Sequence, residues 1–191
     1  FIDSYGSHMY AVATMGAIKI WHDLNGWAAD PPQVPFGMYI GGNGLSVVEI
    51  GGSIFAQGNT NAIYEWDGGA MWLEDIPAIG FNILNMVSVL GMLYGIDATG
   101  QLFRLDYGAG SATSVAPAPA GTTINVIFNF LDEIYGADST TGRLYKWNGT
   151  DAWELAAYEK AAPRSPVIHM TSLGLDVFGS TVDGALYQCA P

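Results

Sequence analysis

The chain has a single cysteine, Cys189, among its 191 residues. One thiol excludes an internal disulfide framework and any metal site built from several cysteines. The three histidines, His8, His22 and His169, stand too far apart in the sequence to show the ligand spacing of a zinc site. An acidic loop with closely spaced oxygen ligands for calcium is also missing. We therefore expect neither a metal nor a cofactor.

Positive charge is scarce, with six Lys and Arg residues against 18 Asp and Glu residues and a net charge of −12. No basic cluster is present that would neutralise phosphates, so we expect no nucleic-acid partner. Apolar runs are broken by polar residues and glycines before they reach the roughly 20 residues of a membrane helix, so we expect no membrane insertion. No charged and then apolar leader precedes the first repeat, so a signal peptide is either absent or was removed before Phe1, and the start at Phe favours a processed or trimmed product. The compartment stays open, with a secreted or extracellular location slightly favoured.

Glycine and proline are plentiful, at 25 and nine residues, while charged residues make up 13% of the chain. This composition favours many short strands joined by tight turns. Half of the residues are apolar, which is enough for a substantial core. We expect a single β-rich domain that spans residues 1–191.

A short phrase recurs five times, formed by an aliphatic residue, an aromatic residue and a small residue. Its aromatic members lie 39 to 45 residues apart, at Tyr10, Phe55, Tyr94, Tyr135 and Phe178. This period is typical of propeller blades. We predict repeat units at 1–44, 45–83, 84–124, 125–167 and 168–191.

Each unit has the pattern of a four-stranded blade. An inner apolar strand precedes the strand with the phrase; a turn at Gly or Asn leads to a third strand, and a fourth strand ends in a proline-rich crossover. The chain is thus predicted to be an all-β, five-bladed β-propeller of roughly four-stranded antiparallel blades. The last copy stops before a fourth strand. Three interpretations stay open: a three-stranded fifth blade, a longer natural chain, or completion by another molecule, which would make the open fifth blade an oligomer contact.

Two segments carry a resemblance to known families. In residues 72–104 a tryptophan, a proline-bearing crossover and an apolar strand lead to LYGIDATGQLFR, and residues 134–149 read IYGADSTTGRLYKWNG. They resemble the tectonin repeat of propeller lectins and the blades of the five-bladed tachylectin type. They are more loosely similar to kelch repeats, whose double glycine is missing from the second strands here. The resemblance implies multivalent recognition of glycans or glycoconjugates, with equivalent sites on or between the blades.

Six residues are candidates for binding a sugar. Trp27, Trp72 and Trp153 occupy matching positions near polar turns, and an indole face stacks well on a pyranose ring. Asp67, Asp106 and Asn148 recur just after the third strand and have the side chains to bind hydroxyl groups. Both sets have a structural alternative: tryptophans pack between blades, and Asp or Asn before glycine forms hairpin turns.

The leading functional hypothesis is a non-catalytic lectin with several equivalent sites, which gain avidity by being linked. One alternative is a scaffold that presents a propeller face to a protein partner. A glycosidase or lactonase is the third hypothesis, and it needs converging carboxylates. Glu49, Asp3 and Asp132 are the candidates in or after the inner strands, but the units leave little room for the long loops of a substrate cleft.

Overall fold

The computed structural model describes residues 2–5, 8–12, 18–22, 26–28, 47–66, 72–156, 166–173 and 175–189. These residues form strands and turns and no helix, so the predicted all-β class is confirmed. Their nineteen strands are β1 Ile2–Tyr5, β2 His8–Val12, β3 Ile18–His22, β4 Gly26–Ala28, β5 Val47–Ile50, β6 Ser53–Gln57, β7 Ile63–Trp66, β8 Leu73–Ile76, β9 Ile83–Val89, β10 Met92–Asp97, β11 Leu102–Asp106, β12 Ser111–Ala116, β13 Ile124–Phe130, β14 Glu133–Asp138, β15 Leu144–Trp147, β16 Trp153–Leu155, β17 Val167–Leu173, β18 Asp176–Thr181 and β19 Leu186–Cys189.

The strands form five sheets in which each strand pairs with the next along the chain. Sheets 1 to 4 are β1–β4, β5–β8, β9–β12 and β13–β16, and sheet 5 is β17–β19. Four complete four-stranded blades are therefore present rather than five, since the described part of sheet 5 has three strands. Closure into one five-bladed ring stays a prediction.

The chain divides into two compact units. Unit 1 holds residues 1–83 and 106–111, which include sheets 1 and 2, and unit 2 holds residues 84–105 and 112–191. Within unit 2, consecutive sheets pack on each other. Ile96, Ile127 and Trp153 share one apolar cluster between sheets 3 and 4, while Phe128 and Met170 share a second cluster between sheets 4 and 5.

The turn between the first and second strand has two residues wherever both flanking strands are described. Gly51 and Gly52 join β5 to β6 with φ of 59° and 98°, and Leu131 and Asp132 join β13 to β14 with φ of 54° and 60°. Two consecutive residues at positive φ make a type I′ turn, whose twist matches that of the strands it joins. We call these turns the inner hairpin tips.

The turn before the third strand has a Gly or Asn in each of the five repeats, and a tight hairpin there requires a residue that can adopt positive φ. Four of these residues have it, with φ of 63° to 80° at Asn61, Gly100, Gly142 and Gly184; the fifth, Gly16, lies outside the described residues. Gly100 also lies against the chain that enters the next sheet, where a Cβ would come within 3.1 Å of the Ile124 carbonyl oxygen. Glycine is thus needed there for space as well as for conformation.

A buried polar side chain ends the second strand in three sheets: Gln57, Asp138 and Thr181 are each 1–2% exposed. Gln57 Oε1 accepts a hydrogen bond from Ile83 N at 2.8 Å, at the start of β9. Asp138 Oδ2 accepts from the Thr141 hydroxyl at 2.6 Å. These contacts satisfy a hydroxyl donor within the turn and a backbone donor at the start of an inner strand.

Candidate functional site

The tryptophans predicted to stack on sugars lie inside the protein where their side chains are described. Trp72, just before β8, is 2% exposed, and Trp153, at the start of β16, is 8% exposed. The ring centroids of Trp72 and Trp66 lie 6.4 Å apart. Trp153 is part of the apolar cluster between sheets 3 and 4. Neither ring face is available to a pyranose, which corrects the predicted role of both residues. Trp27 lies in β4 and pairs with Trp21, and its side chain lies outside the described part.

The predicted polar contacts are engaged in turns. Asn148 Oδ1 accepts from the amides of Thr150, Asp151 and Ala152 at 2.9–3.2 Å. Asp106 Oδ1 accepts from Ala109 N at 3.0 Å. These are the bonds by which Asp and Asn stabilise a hairpin loop, so the structural alternative accounts for both side chains. Asn148 is exposed and Asp106 is half-buried, and Asp67 lies outside the described residues.

The carboxylates considered for catalysis belong to different sheets. Glu49 Oε1 accepts a hydrogen bond from Gly52 N at 3.0 Å within the inner hairpin of sheet 2. Asp132 lies in the inner hairpin tip of sheet 4. Asp3 is in β1, and its side chain is not described. The described residues contain no group of three or more His, Cys, Asp or Glu side chains arranged to hold a metal ion. Across the same residues, no helix is long and apolar enough to cross a membrane.

Sequence reasoning missed a set of exposed leucines at the inner hairpin tips of unit 2. Leu90, Leu131 and Leu175 are 72%, 60% and 66% exposed, in the tips of sheets 3, 4 and 5. We call these three residues the leucine tips. Two of them also have a left-handed backbone, with φ of 51° at Leu90 and 54° at Leu131. The signal in the sequence was a large apolar residue where glycine or asparagine is the usual choice.

The inner strands of unit 2 hold their hairpin tips side by side. Asn129 Nδ2 donates to the Ser88 carbonyl at 2.9 Å, and the Ser172 hydroxyl donates to the Asn129 carbonyl at 3.1 Å. Each of these residues precedes a leucine tip by two or three positions. Because bonds between neighbouring sheets fix the strands just before their turns, Leu90, Leu131 and Leu175 project from the same end of the sheets.

Negative charge accompanies the leucine tips. Asp132 follows Leu131 within the same turn, and Asp176 follows Leu175 at the start of β18. Glu133, by contrast, forms an ion pair with Lys146 at 2.7 Å, so its charge is balanced locally. With a net charge of −12 over the chain, this end of unit 2 combines apolar tips with acidic flanks and attracts cationic groups.

No family model and no curated protein matches the sequence. Solved structures do match. A structural genomics protein of unknown function from Bacteroides thetaiotaomicron is 12% identical with a TM-score of 0.72, over 98% of this chain and 56% of that one. YCF48 bound to D1 peptide is 16% identical with a TM-score of 0.59, over 96% and 63%. The computationally designed Ika4 protein is 11% identical with a TM-score of 0.56, over 83% and 97%.

These similarities place the chain among β-propellers, with four-stranded antiparallel sheets in a propeller arrangement. Identities of 11–16% show the fold alone. The chain spans little more than half of the Bacteroides protein and less than two thirds of YCF48. The resemblance to the tectonin and tachylectin families stays a prediction.

Proposed function

We propose that this chain is a non-catalytic propeller scaffold that binds a protein partner through the leucine tips. The observation that carries the proposal is the exposure of Leu90, Leu131 and Leu175 at one end of three neighbouring sheets. Scattered single apolar residues need no explanation on a protein surface. Three in the inner hairpin tips of successive sheets, at the first turn residue in sheets 3 and 4 and at the second in sheet 5, form a common surface.

Backbone conformation supports the same interpretation. A left-handed conformation costs a non-glycine residue about 1–2 kcal/mol, and Leu90 and Leu131 both adopt it. The equivalent tip of sheet 2 uses Gly51 and Gly52, which meet the same turn geometry without that cost. Large apolar side chains held in an unfavourable conformation and left exposed are typical of functional positions rather than of folding.

The partner that fits this surface is a polypeptide segment with apolar side chains and lysine or arginine. Apolar groups would cover the leucines, while the cationic groups would face Asp132 and Asp176. YCF48, a protein of the same fold, has been solved bound to a peptide. We propose that this chain binds a peptide segment as well.

Carbohydrate binding is the competing proposal. It would now have to rest on Asn148, Asp106 and residues outside the described ranges, since Trp72 and Trp153 are buried. Catalysis is not part of either proposal. The leucine tips are therefore the surface with the strongest claim to a ligand.

A peptide-display selection tests the proposal with a built-in control. A random library is selected on the wild-type protein and counter-selected on a variant with Leu90→Asn, Leu131→Asn and Leu175→Asn. We expect enrichment of sequences that combine Lys or Arg with large apolar residues, and binding that weakens as salt is added. Enrichment of peptides that bind the triple variant equally well would refute the proposal. A glycan array run on the same two proteins would instead favour the carbohydrate proposal if it gave strong signals on both.

A further inference from the structure

The inner hairpin of sheet 3 has a methionine where the neighbouring inner hairpins have an acidic residue. Met92 opens β10, whereas Glu133 and Asp176 open β14 and β18. All three follow a two-residue turn from the inner strand, so they hold equivalent positions in their sheets. Sheet 3 therefore adds a second apolar residue, after Leu90, where sheets 4 and 5 add a charge.

Met92 is open to solvent and is held by a hydrogen bond. It is 43% exposed, while the other methionines whose side chains are described, Met86 and Met170, are 4% exposed. The Tyr94 hydroxyl donates to Met92 Sδ at 3.7 Å, and Tyr94 is itself 4% exposed. A buried tyrosine thus anchors the thioether, and the sulfur has a second lone pair that can react with a small oxidant.

Oxidation of Met92 requires hydrogen peroxide and no further group from the protein. A sulfur lone pair attacks one peroxide oxygen, the O–O bond breaks, and the other oxygen takes the proton of the transferred one and leaves as water. The sulfur thereby loses two electrons to the peroxide and becomes a sulfoxide. This product is polar, whereas the thioether is apolar. An apolar side chain of a partner would therefore lose a matching contact at sheet 3.

We propose that Met92 is an oxidation site that regulates the leucine tips: its thioether contacts the partner together with Leu90, and its sulfoxide weakens the binding. This inference rests on the proposed function. Methionine is enriched in interfaces because its flexible, polarisable side chain adapts to a partner, and oxidation disrupts such contacts. Sulfoxide reductases reverse the reaction, so the regulation is reversible.

Mass spectrometry of peptides from the protein, digested after mild treatment with hydrogen peroxide, tests the modification. In the folded protein we expect Met92 to gain one oxygen about tenfold faster than Met86 and Met170, because these two are buried. In urea the three should react at similar rates, which would show that the fold sets the difference. Oxidation of Met92 that is no faster than that of the buried pair in the folded protein would overturn the inference.

The regulatory role is tested with a peptide recovered from the display selection on the wild-type protein. Oxidation of the protein should weaken its binding about fivefold, and treatment with both methionine sulfoxide reductases should restore it. Met92→Leu is the control. Because leucine has no sulfur, the affinity of this variant should be the same before and after peroxide treatment.

Equal weakening in the wild type and in Met92→Leu would assign the effect to other residues and overturn the inference, as would unchanged binding by the oxidised wild type. In both cases the proposed function stands if the triple asparagine variant still fails to bind the peptide. Binding to that variant as strong as to the wild type would instead refute the proposed function, and with it the regulatory role of Met92.

Discussion

Replacing Leu90 and Leu131 with asparagine should stabilise the folded protein. Both leucines lie in two-residue turns at φ of 51° and 54°, a region that costs asparagine less free energy than leucine. At 72% and 60% exposure the leucine side chains bury little apolar surface, so little is lost with them. We expect each variant to gain about 1 kcal/mol in the free energy of unfolding.

Urea unfolding measures this gain directly, and a thermal melt should show each variant shifted up by roughly 2–4 °C for a chain of this size. Leu155→Asn is the control, and it should lower the free energy of unfolding instead of raising it. Leu155 is similarly exposed, at 52%, but lies in β16, where asparagine is a poor strand residue. We expect this control to lose stability.

Loss of stability in Leu90→Asn and Leu131→Asn would refute the argument from backbone strain. The two leucines would then contribute to folding, and their exposure would need no functional explanation. A gain in stability together with loss of the selected peptide's binding is the result that the proposed function requires, because the leucines would be costly to the fold and useful to the ligand.

Three further predictions concern the sheets themselves. Gly136→Ala should cost about 1–3 kcal/mol in urea unfolding, since its Cβ would lie 3.0 Å from the Trp153 ring; an unchanged midpoint would show that the ring shifts freely. Gln57→Ala should cost a similar amount, about 1–3 kcal/mol, because it removes the buried acceptor of Ile83 N, and Gln57→Glu at low pH should recover part of the loss. Asp75→Asn should raise the melting temperature more at pH 7.5 than at pH 4, and an equal shift at both would show that ionisation of Asp75 does not affect stability.

The pH dependence at Asp75 follows from its surroundings. Burial, with the negative charges of Glu65 and Asp106 nearby, raises the pKa of Asp75 to about 6 from an ordinary value of 3.8, and Oδ2 is buried without a hydrogen-bond partner in the described structure. The folded state therefore binds the proton more tightly than the unfolded chain does. Stability is lost as pH rises through the window from about 4 to 6, and asparagine, which carries no charge, avoids that loss.

Much of the fold could be predicted from the sequence because local patterns and turn chemistry agree. The 39–45-residue period and the glycines at the third-strand turns were enough to place most of the strands. The apolar runs mark the start of the inner strand correctly in sheets 1 and 2. In sheets 3, 4 and 5 the inner strand begins two or three residues before its apolar run, for example at Ile83 rather than Met86. Asn85 interrupts the apolar run there, yet its Oδ1 accepts from Ile127 N at 2.6 Å in the next sheet, a long-range contact that local periodicity does not contain.

The candidate site was harder to predict for a related reason. Composition and spacing identify a tryptophan near a turn but do not say which way its ring points, and Trp72 and Trp153 point inward. The leucine tips were missed because a turn search looks for residues that favour positive φ. Leu90 and Leu131 depart from that rule, and such departures mark function more often than regular positions do.

Hydrogen-exchange footprinting of a peptide selected on the wild-type protein tests the central claim most directly. The account predicts slowed exchange at residues 90–92, 131–133 and 175–177, the three inner hairpin tips of unit 2, and no such change in the triple asparagine variant. Protection confined to other residues, or protection of these tips that persists in the variant, would contradict the claim that the leucine tips bind a partner.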